Sequence, residues 1–242
     1  MYEIFKSYVE NYDLNNKRIK HKYEHSLRVA AASEELSLLL GLSDEDRDLA
    51  ILIGLLHDIG RFEQIKRYDS FKSSEFDHGD FANKILFEDK LIEKLNVNEK
   101  FYSIIKKAIF NHNKLTIEDG LTEHELLHAN IIRDVDKLDN IRFLSKGKRV
   151  DEIEEDVSVT NSIMEYIRNE QSVPFSLVKG GNDAVAVNFA FIFDVVFLET
   201  VMLISYENLY DCFYNNLEYK NHFNEALGIV NNYIRNRLKG DR

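Results

Sequence analysis

The chain has 242 residues, 44% apolar and 30% charged, a balance that suits a soluble globular protein with a sizeable core of its own. A single cysteine, Cys212, excludes an internal disulfide and a thiolate-built zinc or iron–sulfur site, and one proline with ten glycines argues against a turn-rich β protein. Lys and Arg number 31 against 42 Asp and Glu; the net charge of −11 argues against a stable nucleic-acid partner, yet leaves room for a small phosphorylated substrate held by local cations.

Met1-Tyr2-Glu3 opens no basic leader and no apolar run follows, so the cytoplasm is the expected compartment. Apolar residues then recur with a period near 3.6, and strict alternation is scarce, which predicts an all-α fold. The first helices are expected over 2–12, 20–41 and 44–57. In the second, His25 falls in line with Val29, Ala32 and Leu36. The third starts with Ser43 as cap before Asp44-Glu45-Asp46, an acidic first turn that suits the helix dipole. Near its end His57 lies in line with Ala50 and Ile53, and Asp58 follows directly.

Residues 61–77 are polar and partly basic and read as a long connection. Helices are expected next over 78–94, where His78 lines up with Ala82 and Ile85, and over 98–112, where His112 lines up with Phe101, Ile105 and Ala108. A further helix over 123–144 opens with a capping box, Thr122 as N-cap and Glu125 three residues on. The same stretch, His124-Glu125-Leu126-Leu127-His128, matches the H-E-x-x-H pattern of zinc peptidases. Glu125 already has a structural role there, and a third ligand could come only from Glu152, Glu154 or Glu155 in a charged run. The peptidase reading is therefore set aside.

The apolar side of helix 123–144 runs through Leu127, Ile131, Ile132, Val135 and Leu138. Asp136 borders it, Asp139 lies about 60° away, and Asp134, about 160° from Asp136, is expected to face out. Later helices are expected over 157–170, 184–214 and 217–238, with the only proline and a Gly-Gly pair in the connection 171–183. The stretch from Ala184 to Ile204 is about one bilayer long, but Asp194 and Glu199 would sit in mid-span at high cost, so no membrane span is expected. Helix 184–214 serves either as core or as a homodimer interface. The domain organisation expected is a helical domain over 1–145, with a C-terminal helical extension over 146–242 packed on it.

Four histidines on core-facing stripes of four different helices are hard to explain one at a time. A buried imidazole needs partners for its ring nitrogens. Converging imidazoles and carboxylates can satisfy one another by binding a cation, and helix-bundle metal sites mix the two ligand types. His57 and Asp58 can reach one ion beside the helix terminus, where the chain turns at Gly60. Asp136 is the preferred further carboxylate and Asp139 the second choice.

These residues resemble the signature of the HD-domain superfamily. The pieces are HKYEHSLRVA with His25, LIGLLHDIGRF with His57 and Asp58, DHGDFAN with His78, IFNHN with His112 and IRDVDKLDN with Asp136. The resemblance covers residues 20 to 145. It implies an HD-domain helical bundle with a central metal site and a core ligand set of His25, His57, Asp58 and Asp136. The His78 and His112 matches resemble members that hold two metals, with Asp58 as the bridge. The Gly-Tyr-Pro tripeptide of the cyclic-dinucleotide branch is missing, whereas the YEHSLRVA and LLHDIG segments are similar to the diadenosine-polyphosphate hydrolases.

The function this implies is metal-dependent hydrolysis of a small phosphate ester, a nucleotide being the natural candidate. A divalent ion lowers the pKa of bound water and makes hydroxide available near neutral pH. Asp58 would serve the chemistry as ligand and bridge. Positive charge for the phosphoryl oxygens is expected from Arg61, just after the metal pair, from Arg28, one turn after His25, from Lys66, Arg67 and Lys72, and from Lys137 beside Asp136. The cofactor would be one or two divalent transition-metal ions. Fe, Mn, Co, Ni and Zn all suit imidazole and carboxylate ligands, and a six-ligand set favours iron or manganese. The competing readings are an HD-type di-iron oxygenase and a non-catalytic metal-binding sensor or interaction module.

Overall fold

Helix α2 (Lys17–Leu39) begins where the Asn16 side chain accepts hydrogen bonds from the backbone N–H groups of Arg18 and Ile19. It packs against α3 (Asp44–Leu56), whose N-cap Ser43 takes the N–H of Asp46. Ala30, Ser33 and Ser37 make a buried strip of small side chains on α2, and Gly54 faces it from α3. A Cβ on Gly54 would lie 2.4 Å from Ser33 Oγ and 3.1 Å from the Ala30 backbone, so this close approach requires glycine.

The computed structural model describes residues 1–71, 76–148 and 154–240, and every regular element among them is helical. The chain divides into two compact units, Met1–Asp136 and Lys137–Arg242. The division falls within helix α8 (Glu123–Leu144).

The first unit holds α1 (Tyr2–Val9), α2, α3, α4 (Ile59–Tyr68), α5 (His78–Asn83), α6 (Leu91–Lys94), α7 (Tyr102–Asn111) and the start of α8. Phe5 of α1 is fully buried between the rings of Tyr23 and Phe62, with centroids 5.9 and 6.0 Å away. Val29, Leu36, Ile53, Leu56, Ile105 and Ile109 fill the interior. Losing one such aliphatic side chain to alanine costs about 2–5 kcal/mol.

Residues 61–77 were expected to form a connection, but the first part of this stretch, 61–68, belongs to helix α4. Only Phe62 and Ile65 of its non-glycine residues beyond Ile59 carry the apolar stripe, too few to set a period in the sequence. Lys72 lies outside the described residues.

The second unit contains α9 (Asn161–Arg168), α10 (Gly181–Ala190), α11 (Leu198–Tyr206), α12 (Leu209–Asn215) and α13 (Asn224–Lys239). Its core centres on Phe189, whose ring meets those of Tyr210, Phe213 and Phe223 at 6.0, 4.9 and 5.8 Å. The single helix expected over 184–214 is divided into α10, a 3₁₀ turn (Phe191–Asp194), α11 and α12. Aromatic and β-branched residues crowd 191–197 and favour helix weakly. The freed carbonyls of Val195 and Val196 accept hydrogen bonds from the Arg237 guanidinium at 3.1 and 2.9 Å, and Asn208 turns the chain again with φ of 53°. No helix among the described residues is long and apolar enough to cross a membrane.

Asp134 was expected to face solvent, yet it is fully buried. Ile131, Ile132, Arg133, Asp134 and Val135 are buried in succession, and five consecutive helical residues cannot share one face. Helix α8 is therefore enclosed around its whole circumference at this level.

Candidate metal centre

Five elements of the first unit deliver the site. His25 sits mid-way along α2 and is fully buried. His57 ends α3 and Asp58 breaks the chain before α4, with φ of −101° and ψ of 15°. This break swings Asp58 inward beside its neighbour. His78 is the first residue of α5, which Asp77 caps through the N–H groups of Gly79 and Asp80. Gly60 lets α4 and α5 touch: a Cβ there would meet the His78 carbonyl oxygen at 2.2 Å. His112 ends α7, and Asp136 comes from α8.

The polar ends of these residues converge. The Nε2 atoms of His25 and His57 lie 3.6 and 3.5 Å from Asp58 Oδ2, and 3.1 and 3.8 Å from Asp136 Oδ1. On the other side of the same carboxylate, Asp58 Oδ1 lies 3.5 Å from His78 Nε2 and 3.6 Å from His112 Nε2, which are 3.1 Å apart. Asp58 thus shows one oxygen to each of two three-residue groups able to hold a metal ion, His25–His57–Asp58 and Asp58–His78–His112. Metal–ligand bonds of about 2.0–2.2 Å separate neighbouring ligand atoms by about 3.0–3.6 Å, close to what is seen.

Ring hydrogen bonds set the tautomers. His57 Nδ1–H donates to the Gly54 carbonyl at 2.8 Å, and His112 Nδ1–H to that of Ile109 at 2.6 Å. A carbonyl only accepts, so the neutral rings turn their Nε2 lone pairs inward. His57 Nε2 is buried, has no hydrogen-bond partner among the described residues, and faces two carboxylate oxygens. Lone pairs aimed at carboxylates are mutually repulsive until a proton or a cation comes between them. The residues therefore fit a metal ion, and the backbone carbonyls that orient the rings are the supports metal-binding imidazoles use.

The electrostatics agree. Burial opposes ionisation of Asp58, but Lys22 and then His57 hold its carboxyl well below the usual range. Asp136 is also lowered against its burial, chiefly by His25. Burial lowers His78 and His112, keeping both neutral as a ligand must be. Burial also disfavours charge on His57, but Asp58 and Asp136 raise its pKa on balance.

The cations divide into two sets. Lys22 Nζ sits 2.6 Å from Asp58 Oδ2. Arg61 Nε lies 3.5 Å from Asp58 Oδ1, and its Nη1 is tied to Gln64 Oε1 and the Phe71 carbonyl at 2.7 and 3.0 Å. Arg28 is half-buried one turn after His25. Lys66 lies over the Tyr12 ring, Arg67 pairs with Glu63 and covers the Phe81 ring, and Lys137 pairs with Asp194 at 2.6 Å. Each of those three heads has a partner outside the six converging residues.

Two contributors escape the sequence pattern. Lys22 is three residues before His25 on the same helix face, a spacing that could have pointed to it. Arg133 donates to the carbonyls of Asn111, Lys114 and Leu115, fixing the chain around His112. It carries no motif that announces the role.

The family model of the HD domain matches residues 23–141, a stretch that contains all six converging His and Asp residues. This part of the chain is an HD domain. No curated protein and no solved structure matches the chain. An HD domain suggests metal-dependent, hydrolase-type activity, and the HD centre supplies candidate metal-binding residues for it.

Proposed function

We propose that the chain is a metal-dependent phosphohydrolase acting on a small phosphate ester of the nucleotide class. The observation that carries the reading is Asp58, whose two oxygens serve the two ligand groups while Lys22 and Arg61 flank it. His25, His57, Asp58 and Asp136 would hold one ion, and Asp58, His78 and His112 a second. Bound divalent ions supply acidified water and positive charge next to the phosphoryl group.

The chain's own residues do the rest. Lys22 and Arg61 bind and orient non-bridging phosphoryl oxygens, with Arg28 as a third cation on the rim of α2. Gln64 and the Phe71 carbonyl keep the Arg61 guanidinium from swinging out to solvent. In the net reaction an oxygen of water bonds to phosphorus, the ester P–O bond breaks, and the alcohol leaves with a proton.

The test is phosphate release across a nucleotide panel with Mn, Fe, Co or Ni, beside a His57→Ala/Asp58→Ala variant. Release that depends on metal and vanishes in the variant supports the reading; release that persists in the variant overturns it. The six-ligand set also suits a di-iron oxygenase, which oxygen consumption with an iron spin-resonance signal would reveal. Metal binding without turnover would favour a sensor role.

A further inference from the structure

The H-E-x-x-H stretch takes no part in the HD centre, yet its histidines are not idle. His124 and His128 stand four residues apart at the start of α8, on one face, with ring centroids 5.2 Å apart. Asp46, in the first turn of α3, faces both. Its Oδ1 is 2.6 Å from His124 Nε2 and 3.5 Å from His128 Nε2. Its other oxygen, Oδ2, is held at 2.7 Å by the Ser43 hydroxyl, the group that caps α3. The carboxylate is thus fixed by one oxygen and presents the other.

His128 is in an unusual state for a buried imidazole. It is fully buried, its Nδ1 has no hydrogen-bond partner among the described residues, and its Nε2 reaches Asp46 only at the outer limit of a hydrogen bond. Burial pushes its pKa down to about 4, so the ring is neutral at pH 7 and Nε2 can offer a lone pair. His124 is 44% exposed and leaves the cluster open to solvent. Glu125, the base of a peptidase-type motif, is committed elsewhere. It accepts hydrogen bonds from Ser103 Oγ at 2.5 Å and from Thr122 N and Oγ1 at 2.9 Å.

We propose that Asp46, His124 and His128 form a divalent-metal site separate from the HD centre, suited to zinc or a neighbouring transition ion and structural in role. One ligand atom from each of the three lies within 4.8 Å of the other two. Two imidazoles and a carboxylate are a common zinc donor set, and histidines at i and i+4 on a helix are a common way to present the first two. An ion there replaces the proton shared by His124 and Asp46, gives His128 Nε2 a partner, and ties the first turn of α3 to that of α8. Glu125, engaged by Ser103 and Thr122, does not serve this site as a general base.

The test uses the full chain stripped of metal and titrated with zinc, with the ions bound per chain counted by native mass spectrometry and calorimetry. The His57→Ala/Asp58→Ala protein is expected to keep one ion, and adding His124→Gln to weaken that binding at least tenfold. In the otherwise unchanged chain, His124→Gln is expected to lower the zinc count by one, with phosphate release from the HD centre unaltered. His124 is exposed enough for this change to leave the fold intact, which the melting temperature in chelator checks. Equal ion counts and equal affinities with and without His124→Gln would overturn the proposal and leave a simple Asp46–His124 ion pair.

Discussion

Lys22 Nζ stands 2.6 Å from Asp58 Oδ2, the same oxygen that faces His25 and His57. The ammonium is nearly buried, and it occupies the charge-compensating position that an ion held by these ligands would share. A flexible lysine can yield the oxygen to an ion and keep its charge at the rim for a phosphoryl group.

Lys22→Met should therefore retain bound metal and lower kcat/KM for a phosphate ester at least tenfold. Steady-state kinetics beside metal analysis checks this. A variant that loses metal would assign Lys22 to holding the ligand set instead.

Gly60 connects the fold to the site. Its missing Cβ makes room for the carbonyl oxygen of His78 and the N–H of Ala82, both backbone atoms that cannot rotate aside. Gly60→Ala should cost about 2–3 kcal/mol and displace His78, lowering the melting temperature by several degrees and weakening metal binding together. Thermal denaturation with and without added metal tests both effects.

Glu125 gives a pH signature. Hydrogen bonds from Ser103 and then the Thr122 backbone lower its pKa below the usual glutamate value of 4.5. A depressed folded-state pKa means that its stabilisation is complete above the unfolded value and is lost as the pH falls through the folded one. Glu125→Ala should cost about 1 kcal/mol at pH 7, and the gap to the unaltered protein should close below pH 4.5. Melting curves at pH 7, 5 and 3 read this directly, and a gap that stays constant would contradict it.

Much of the bundle could be read from the chain because helical periodicity also tells where side chains point. His25, His57, His78 and His112 lay on apolar stripes, and all four meet at Asp58. Helix α8 has the bounds 123–144 that its capping box and apolar stripe set. Elsewhere that signal fails for physical reasons. Much of the run 184–214 is apolar, too evenly for a period to mark its breaks at Asp194 and Asn208. Helix α4 buries too few residues to show one. Asp134 and Lys22 depend on what surrounds their helices, which a wheel drawn for one helix does not contain.

The central claim is that Asp58 bridges two ligand groups, and anomalous scattering from a manganese-soaked crystal tests it most directly. Peaks are expected on both sides of the Asp58 carboxylate, one beside His25, His57 and Asp136 and one beside His78 and His112, both absent from a His57→Ala/Asp58→Ala crystal. No peak within bonding distance of Asp58 in the unaltered protein would contradict the account.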